Sequence, residues 1–191
     1  MIQVDVRIVS FGGVGCTYII KKVQDLNIIT NHIFDRDKFK HPHYSSNINQ
    51  GIEAKKTIYV YNDPMKAVLS HYRRKWQIGQ HNKITCSDHR MNAGIIRSFN
   101  VLQDNTIKMG KDIYGVERHF YSWYEKEKNN MDFIFIDFRE QCDDKVSNFI
   151  NAKIKFKLKE RSPILEVLKD DFVAIYYKLD QDIRKHIGGF L

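Results

Sequence analysis

Three glycines within four positions, Gly12, Gly13 and Gly15, cut off an apolar run at residues 4–11, and a helix-like segment at residues 17–23 follows at once. No other feature constrains the fold as strongly. It specifies a strand, a tight turn and a helix start. Glycine lets the backbone approach a ligand closely, and the first N–H groups of a helix have no acceptor within it, so such a turn favours an anion. Glycine-rich loops between a strand and a helix cradle phosphates in this way. This one is not a Walker A motif, because Gly15 leads into Cys16-Thr17 with no lysine.

A second short strand is expected at residues 27–34, then a polar loop at 35–44. Residues 56–61 are β-branched and aromatic, which predicts a strand. That strand ends at Asn62-Asp63-Pro64, where Asp63 suits an N-cap and Pro64 the first helical position. Met65, Val68, Leu69, Tyr72 and Trp76 then recur at helical spacing, with Lys66, Arg73 and Arg74 on the other face. Strand, cap and helix thus occur twice. The fold class is α/β, with a mainly parallel central sheet and helices on both faces in three layers, and residues 1–191 read as a single domain. Ligands in such folds sit at the carboxyl ends of the strands, the edge on which the 12–17 loop and the 62–64 turn would both lie.

The remaining segments follow the same logic. Residues 78–90 are polar and read as loop, 92–102 as a helix with Ile95, Ile96 and Phe99 apolar, and 110–115 as a connector. An amphipathic helix at 116–128 turns Phe120, Trp123 and Tyr124 inward, and 131–138 is an apolar strand. A short helix is expected at 143–151 and a half-buried extended segment with a basic face at 153–159. The last helix, 170–186, buries Phe172, Ile175, Tyr176, Leu179 and Ile183.

Charge narrows the class of ligand. The chain carries 31 Lys and Arg against 23 Asp and Glu, a net +8, which favours a nucleotide, a sulfated or phosphorylated substrate, or nucleic acid. No nucleic-acid reader motif is present, so specific nucleic-acid binding is not expected. Cys16, Cys86 and Cys142 lack metal-ligand spacing, and Cys86 with Asp88 and His89 supplies too few ligands for zinc. They read as free thiols of the cytoplasm or another reducing compartment, and no bound metal is expected. The segment Met-Ile-Gln-Val-Asp-Val-Arg is not a signal peptide, and no apolar run approaches the ~18 residues of a membrane span.

Four segments, in order, resemble the sulfotransferase family, a P-loop-related fold that uses 3′-phosphoadenosine 5′-phosphosulfate. Ser10-Phe11-Gly12-Gly13-Val14-Gly15-Cys16-Thr17-Tyr18 resembles the family's 5′-phosphosulfate loop, Tyr-Pro-Lys-Ser-Gly-Thr-Thr-Trp. Lys40-His41-Pro42-His43 resembles the Lys-x-His stretch that carries the catalytic base. The stretch from Tyr59 to Tyr72 resembles the 3′-phosphate motif, Tyr-Val-x-Arg-Asn-Pro-Lys-Asp-Val-x-Val-Ser-Tyr-Tyr, with Ser70 at its serine. Finally, His119 to Trp123 and Phe135 to Glu140 resemble the family's His-x-x-x-Trp helix and Tyr-Glu-Asp-Leu strand end. The resemblance spans about residues 4–151. It departs at two cations: the family's loop lysine aligns with Gly13 and its 3′-phosphate arginine with Asn62. The C-terminal Arg-Lys-Gly segment is not recognisable, and Lys159 and Arg161 are its possible substitutes.

The resemblance implies a sulfuryl transfer from 3′-phosphoadenosine 5′-phosphosulfate to a hydroxyl or amine of a carbohydrate, protein or small molecule, with adenosine 3′,5′-bisphosphate as product. His41 or His43 would take the acceptor proton. Gly12, Gly13, Val14, Gly15, Cys16 and Thr17, with Asn62, Ser70, Arg73 and Arg74, would hold the donor. Cys16 on its own reads as a small buried residue and His119 as a core histidine. A non-catalytic module that keeps the fold and binds an anionic ligand or a protein partner is the alternative, and a divergent nucleotide kinase the third reading.

Overall fold

The computed structural model describes residues 1–36, 38–86, 94–157 and 167–188. Its sheet has three strands, β1 (Ile2–Val9), β2 (Ile52–Tyr61) and β3 (Phe133–Asp137), all parallel, in the order β1-β2-β3. Ile8 lies opposite Ile58, and Ile58 opposite Ile134. Side chains of a strand alternate between faces, yet Ile58, Tyr59, Val60 and Tyr61 are all fully buried, so the central strand is covered on both sides. This is the α/β architecture expected from the sequence.

Among the described residues seven α-helices flank the sheet: α1 (Cys16–Gln24), α2 (Pro64–Arg73), α3 (Gln77–Thr85), α4 (Phe99–Met109), α5 (Val116–Glu127), α6 (Asp143–Ile150) and α7 (Asp170–Gly188). A short 3₁₀ helix, Asn47–Gly51, leads into β2. Helix α2 starts as its sequence specifies: Pro64 occupies the first turn, and the Asp63 carboxylate accepts from Lys66 N–H at 3.0 Å. Phe120 of α5 packs edge-on against Tyr59, Tyr61 and Phe135, which fixes this helix on one face of the sheet. Beyond β3, Arg139 bridges Asp137 and Asp180, and Tyr61 donates to Asp180 at 2.7 Å, tying α7 to the strand ends. No described helix is long and apolar enough to cross a membrane. All three cysteines are free thiols.

Four segments differ from the sequence reading. The strand expected at 27–34 reduces to one bridge, Val6 to Thr30. There the Asn31 amide stands in for a backbone partner, donating to Ile8 O at 3.1 Å and accepting from Ile8 N–H at 2.8 Å, so the ladder goes no further. Trp76 does not extend the inward face of α2. The helix ends at Arg73, Lys75 takes a left-handed φ of 58°, and Trp76 turns outward. The polar segment after Ile78 is helical through Thr85, with a buried face that is polar except for Ile84: Gln80 donates to Phe11 O and His81 to Tyr114 O. Helix α4 begins only at Phe99, where the Ser98 hydroxyl accepts from Val101 N–H, and continues to Met109. The stretch from Lys153 is extended but pairs with no described strand. Its N–H groups at Ile154, Phe156 and Lys157 donate to side chains of Ser147, Asp143 and Tyr18. Asp88, His89, Lys159 and Arg161 lie outside the described residues, as does most of the segment between α3 and α4.

Candidate functional site: a basic cleft at the glycine turn

Gly12, Gly13 and Gly15 take φ of 91°, 68° and 105°, the left-handed region that favours glycine. The chain's own packing adds a second reason. A side chain would start 2.7 Å from Gln80 Nε2 at Gly12, 2.9 Å from Ala67 O at Gly13, and 2.8 Å from the Phe138 ring at Gly15. The Ser10 hydroxyl accepts from Gly12 N–H at 3.0 Å and from the Cys16 thiol at 2.9 Å. Burial pushes that thiol up to about 11, so Cys16 is a neutral packing group and not a thiolate. The turn therefore closes tightly and delivers the N-terminus of α1 to the surface of a cleft. Gly15 caps this helix without any side-chain hydrogen bond, and no acidic residue lies in its first turn. The positive end of the helix therefore carries no side-chain cap and no neighbouring carboxylate in its first turn.

The cleft has a volume of about 1180 Å³. Its lining combines the glycine turn, Cys16, Thr17, His41 and Ser70 with seven cations: Lys21, Lys40, Lys66, Arg73, Arg74, Lys75 and Lys83. Among the described residues Asp35 is the one carboxylate of the lining, and it pairs with Lys83 at 2.5 Å. Lys40 is only 4% exposed; its ammonium donates to the Thr17 hydroxyl at 2.6 Å and to Ile33 O at 2.9 Å. A cation thus stands beside the first turn of α1, although no lysine lies in the glycine turn itself.

His41 is held as a neutral ring. Its Nδ1 lies 2.9 Å from Ser10 O, a carbonyl that can only accept, so Nδ1 carries the hydrogen and Nε2 keeps its lone pair. Burial lowers its pKa to about 4, helped by the charges of Lys40 and Lys83 and opposed by Asp35. The next residue explains how the ring is positioned. His119 Nε2 and Trp123 Nε1, four residues apart on α5, both donate to Pro42 O at 3.1 Å. Tyr59 OH, 2.9 Å from His119 Nδ1, fills the other ring nitrogen. His119 is thus a core histidine with both nitrogens satisfied, and burial lowers its pKa to about 3.

The structure brings most of the sequence-selected residues together and separates three. His43 is buried, donates its N–H to Lys83 O and accepts from Ser45 N–H at the ring, and does not line the cleft. Asn62 is buried as well. Its amide donates to Val14 O at 3.4 Å, bracing the glycine turn from outside the cleft. Val14 is core. Sequence reasoning missed Lys21, Lys75, Lys83, His71 and Trp76 as cleft residues. Only Lys21 had a local signal, lying one helical turn beyond Thr17. Among the described residues no group of three side chains is arranged to hold a metal ion.

No family model matches the chain, and no curated protein matches it. Among solved structures the chain is similar to mouse sulfotransferase SULT7A1 complexed with PAP, at 16% sequence identity and a TM-score of 0.42. The alignment covers 95% of this chain and 66% of that one.

Proposed function

We propose that the protein is a sulfotransferase-like enzyme that moves a sulfuryl group from 3′-phosphoadenosine 5′-phosphosulfate to an acceptor hydroxyl or amine. The observation that carries this reading is one cleft in which a helix N-terminus, seven cations and a neutral histidine base meet. The residues fit a phosphate-bearing donor at the first turn of α1, where Thr17 and Lys40 would meet one end, and at Ser70, Arg73 and Arg74, which would meet the other. The donor supplies the transferring group and a leaving phosphate. His41 Nε2 accepts the acceptor proton, while Nδ1 stays bound to Ser10 O. Lys40 and the α1 N–H groups stabilise charge that grows on the leaving oxygen.

A second reading, an anion-binding module without catalysis, is favoured by one observation. At Gly13, where the family carries its loop lysine, φ is 68° and a side chain would start 2.9 Å from Ala67 O. The backbone itself therefore excludes a lysine there. Transfer of labelled sulfate from the donor to a panel of hydroxyl and amine acceptors separates the two. The enzyme reading expects transfer by the native protein and none by His41→Ala; bisphosphate binding without transfer to any acceptor would favour the module.

A further inference from the structure

Trp76 stands at the mouth of the cleft and takes no part in the transfer chemistry above. It is 59% exposed, an unusual cost for the largest apolar side chain, yet its backbone is fixed on both sides. Its N–H donates to His71 O at 2.9 Å, and its carbonyl accepts from Gln80 N–H at 2.9 Å. Lys75 just before it holds a left-handed φ of 58°, a strained conformation for a lysine that swings the chain from α2 into α3 and turns the indole outward. The Arg74 guanidinium lies 5.5 Å from the ring centroid, within cation–π range. Gly79, one turn further on and also in the lining, has nothing within 4 Å of where a side chain would start, so the space beside it is open. A rigid aromatic face, a neighbouring cation and a vacant turn together make a seat for a flat ring that carries negative charge.

We propose that Trp76 is a stacking platform for the planar ring of the phosphate- or sulfate-bearing ligand that the cleft admits. The inference rests on the anion-binding part of the reading above. The ring has two possible sources, the nucleobase of a donor and an aromatic acceptor or product.

The test titrates native protein and Trp76→Leu with three probes: inorganic pyrophosphate, which has no ring, adenosine 3′,5′-bisphosphate, and 4-nitrophenyl sulfate. Calorimetry gives the affinities, and tryptophan emission reports the contact directly, because the only other tryptophan, Trp123, is buried. Trp76→Leu should weaken at least one ring-bearing probe about tenfold and leave pyrophosphate within about twofold. Which probe responds identifies the source of the ring. Equal affinities of both ring-bearing probes in the two proteins would overturn the platform while leaving the anion cleft intact. If none of the three binds native protein, the cleft reading fails and the platform falls with it. An unchanged thermal unfolding midpoint, expected for an exposed side chain, shows that the variant is folded.

Discussion

Acidification should unfold this protein through two histidines that the fold keeps neutral. His71 is 2% exposed and His119 fully buried, and burial lowers both to a pKa of about 3. In the unfolded chain each returns to about 6.5. Between those values the unfolded state binds more protons than the folded state, so stability holds above about pH 6.5 and falls as the pH drops. At pH 5 each unfolded imidazole is about 1.5 units below its own pKa, which at 1.36 kcal/mol per unit costs about 2 kcal/mol. The two together cost about 4 kcal/mol, a large share of the 5–15 kcal/mol typical of a domain. His41, lowered to about 4, and His43 and His81 shift in the same direction and add to the effect, so about 4 kcal/mol is its lower bound. Carboxylates titrate mainly below about pH 4.5, with Glu117, raised by burial, working in the opposite direction, so the window from pH 7.5 to 5 reports mainly the histidines. The assay is urea unfolding at those two values. With an m-value of about 2 kcal/mol per M, the midpoint should fall by at least about 2 M. Equal midpoints would mean that the buried rings take up protons without penalty, and the burial of His71 and His119 as neutral rings would then be wrong.

Three further outcomes follow from the geometry. If His41 is the base, transfer at pH 6 should stay close to its rate at pH 8, because its pKa of about 4 keeps it neutral across that range; a three- to fourfold fall would instead indicate a base near 6.5. Gly15→Ala forces a Cβ onto the Phe138 ring at a φ of 105°, and should cost about 2 kcal/mol in urea unfolding and abolish bisphosphate binding in calorimetry. Unchanged affinity in that variant would remove the glycine turn from the site. Arg139→Met leaves the buried Asp137 carboxylate with the backbone N–H of residue 139 and the more distant Arg184, and should cost about 3 kcal/mol, read from the same unfolding curves.

The start of the fold was legible because its signals are local. An apolar run, a glycine triplet and a helix start specify β1, the turn and α1, and Asp63-Pro64 specifies where α2 begins. What the glycines accommodate was not legible, since Ala67, Gln80 and Phe138 reach the turn from distant positions in the chain. Helix α3 escaped notice because it buries Gln80, His81 and Thr85 beside the single apolar Ile84, so its pattern shows no apolar stripe. Trp76 fits the α2 spacing on paper; the left-handed Lys75, which no periodicity encodes, turns it the other way. The cleft's cations are drawn from α1, Lys40, α2, the Arg74-Lys75 turn after it and α3, and only the packing of those elements shows that seven of them share one space.

The most direct test of the central claim is calorimetry of adenosine 3′,5′-bisphosphate against native protein, at low and at high salt, with Lys40→Met as the comparison. The basic cleft predicts one saturable site whose affinity falls as salt rises and drops about tenfold or more when the ammonium beside Thr17 is removed. No binding by native protein at low salt with millimolar ligand would contradict the account.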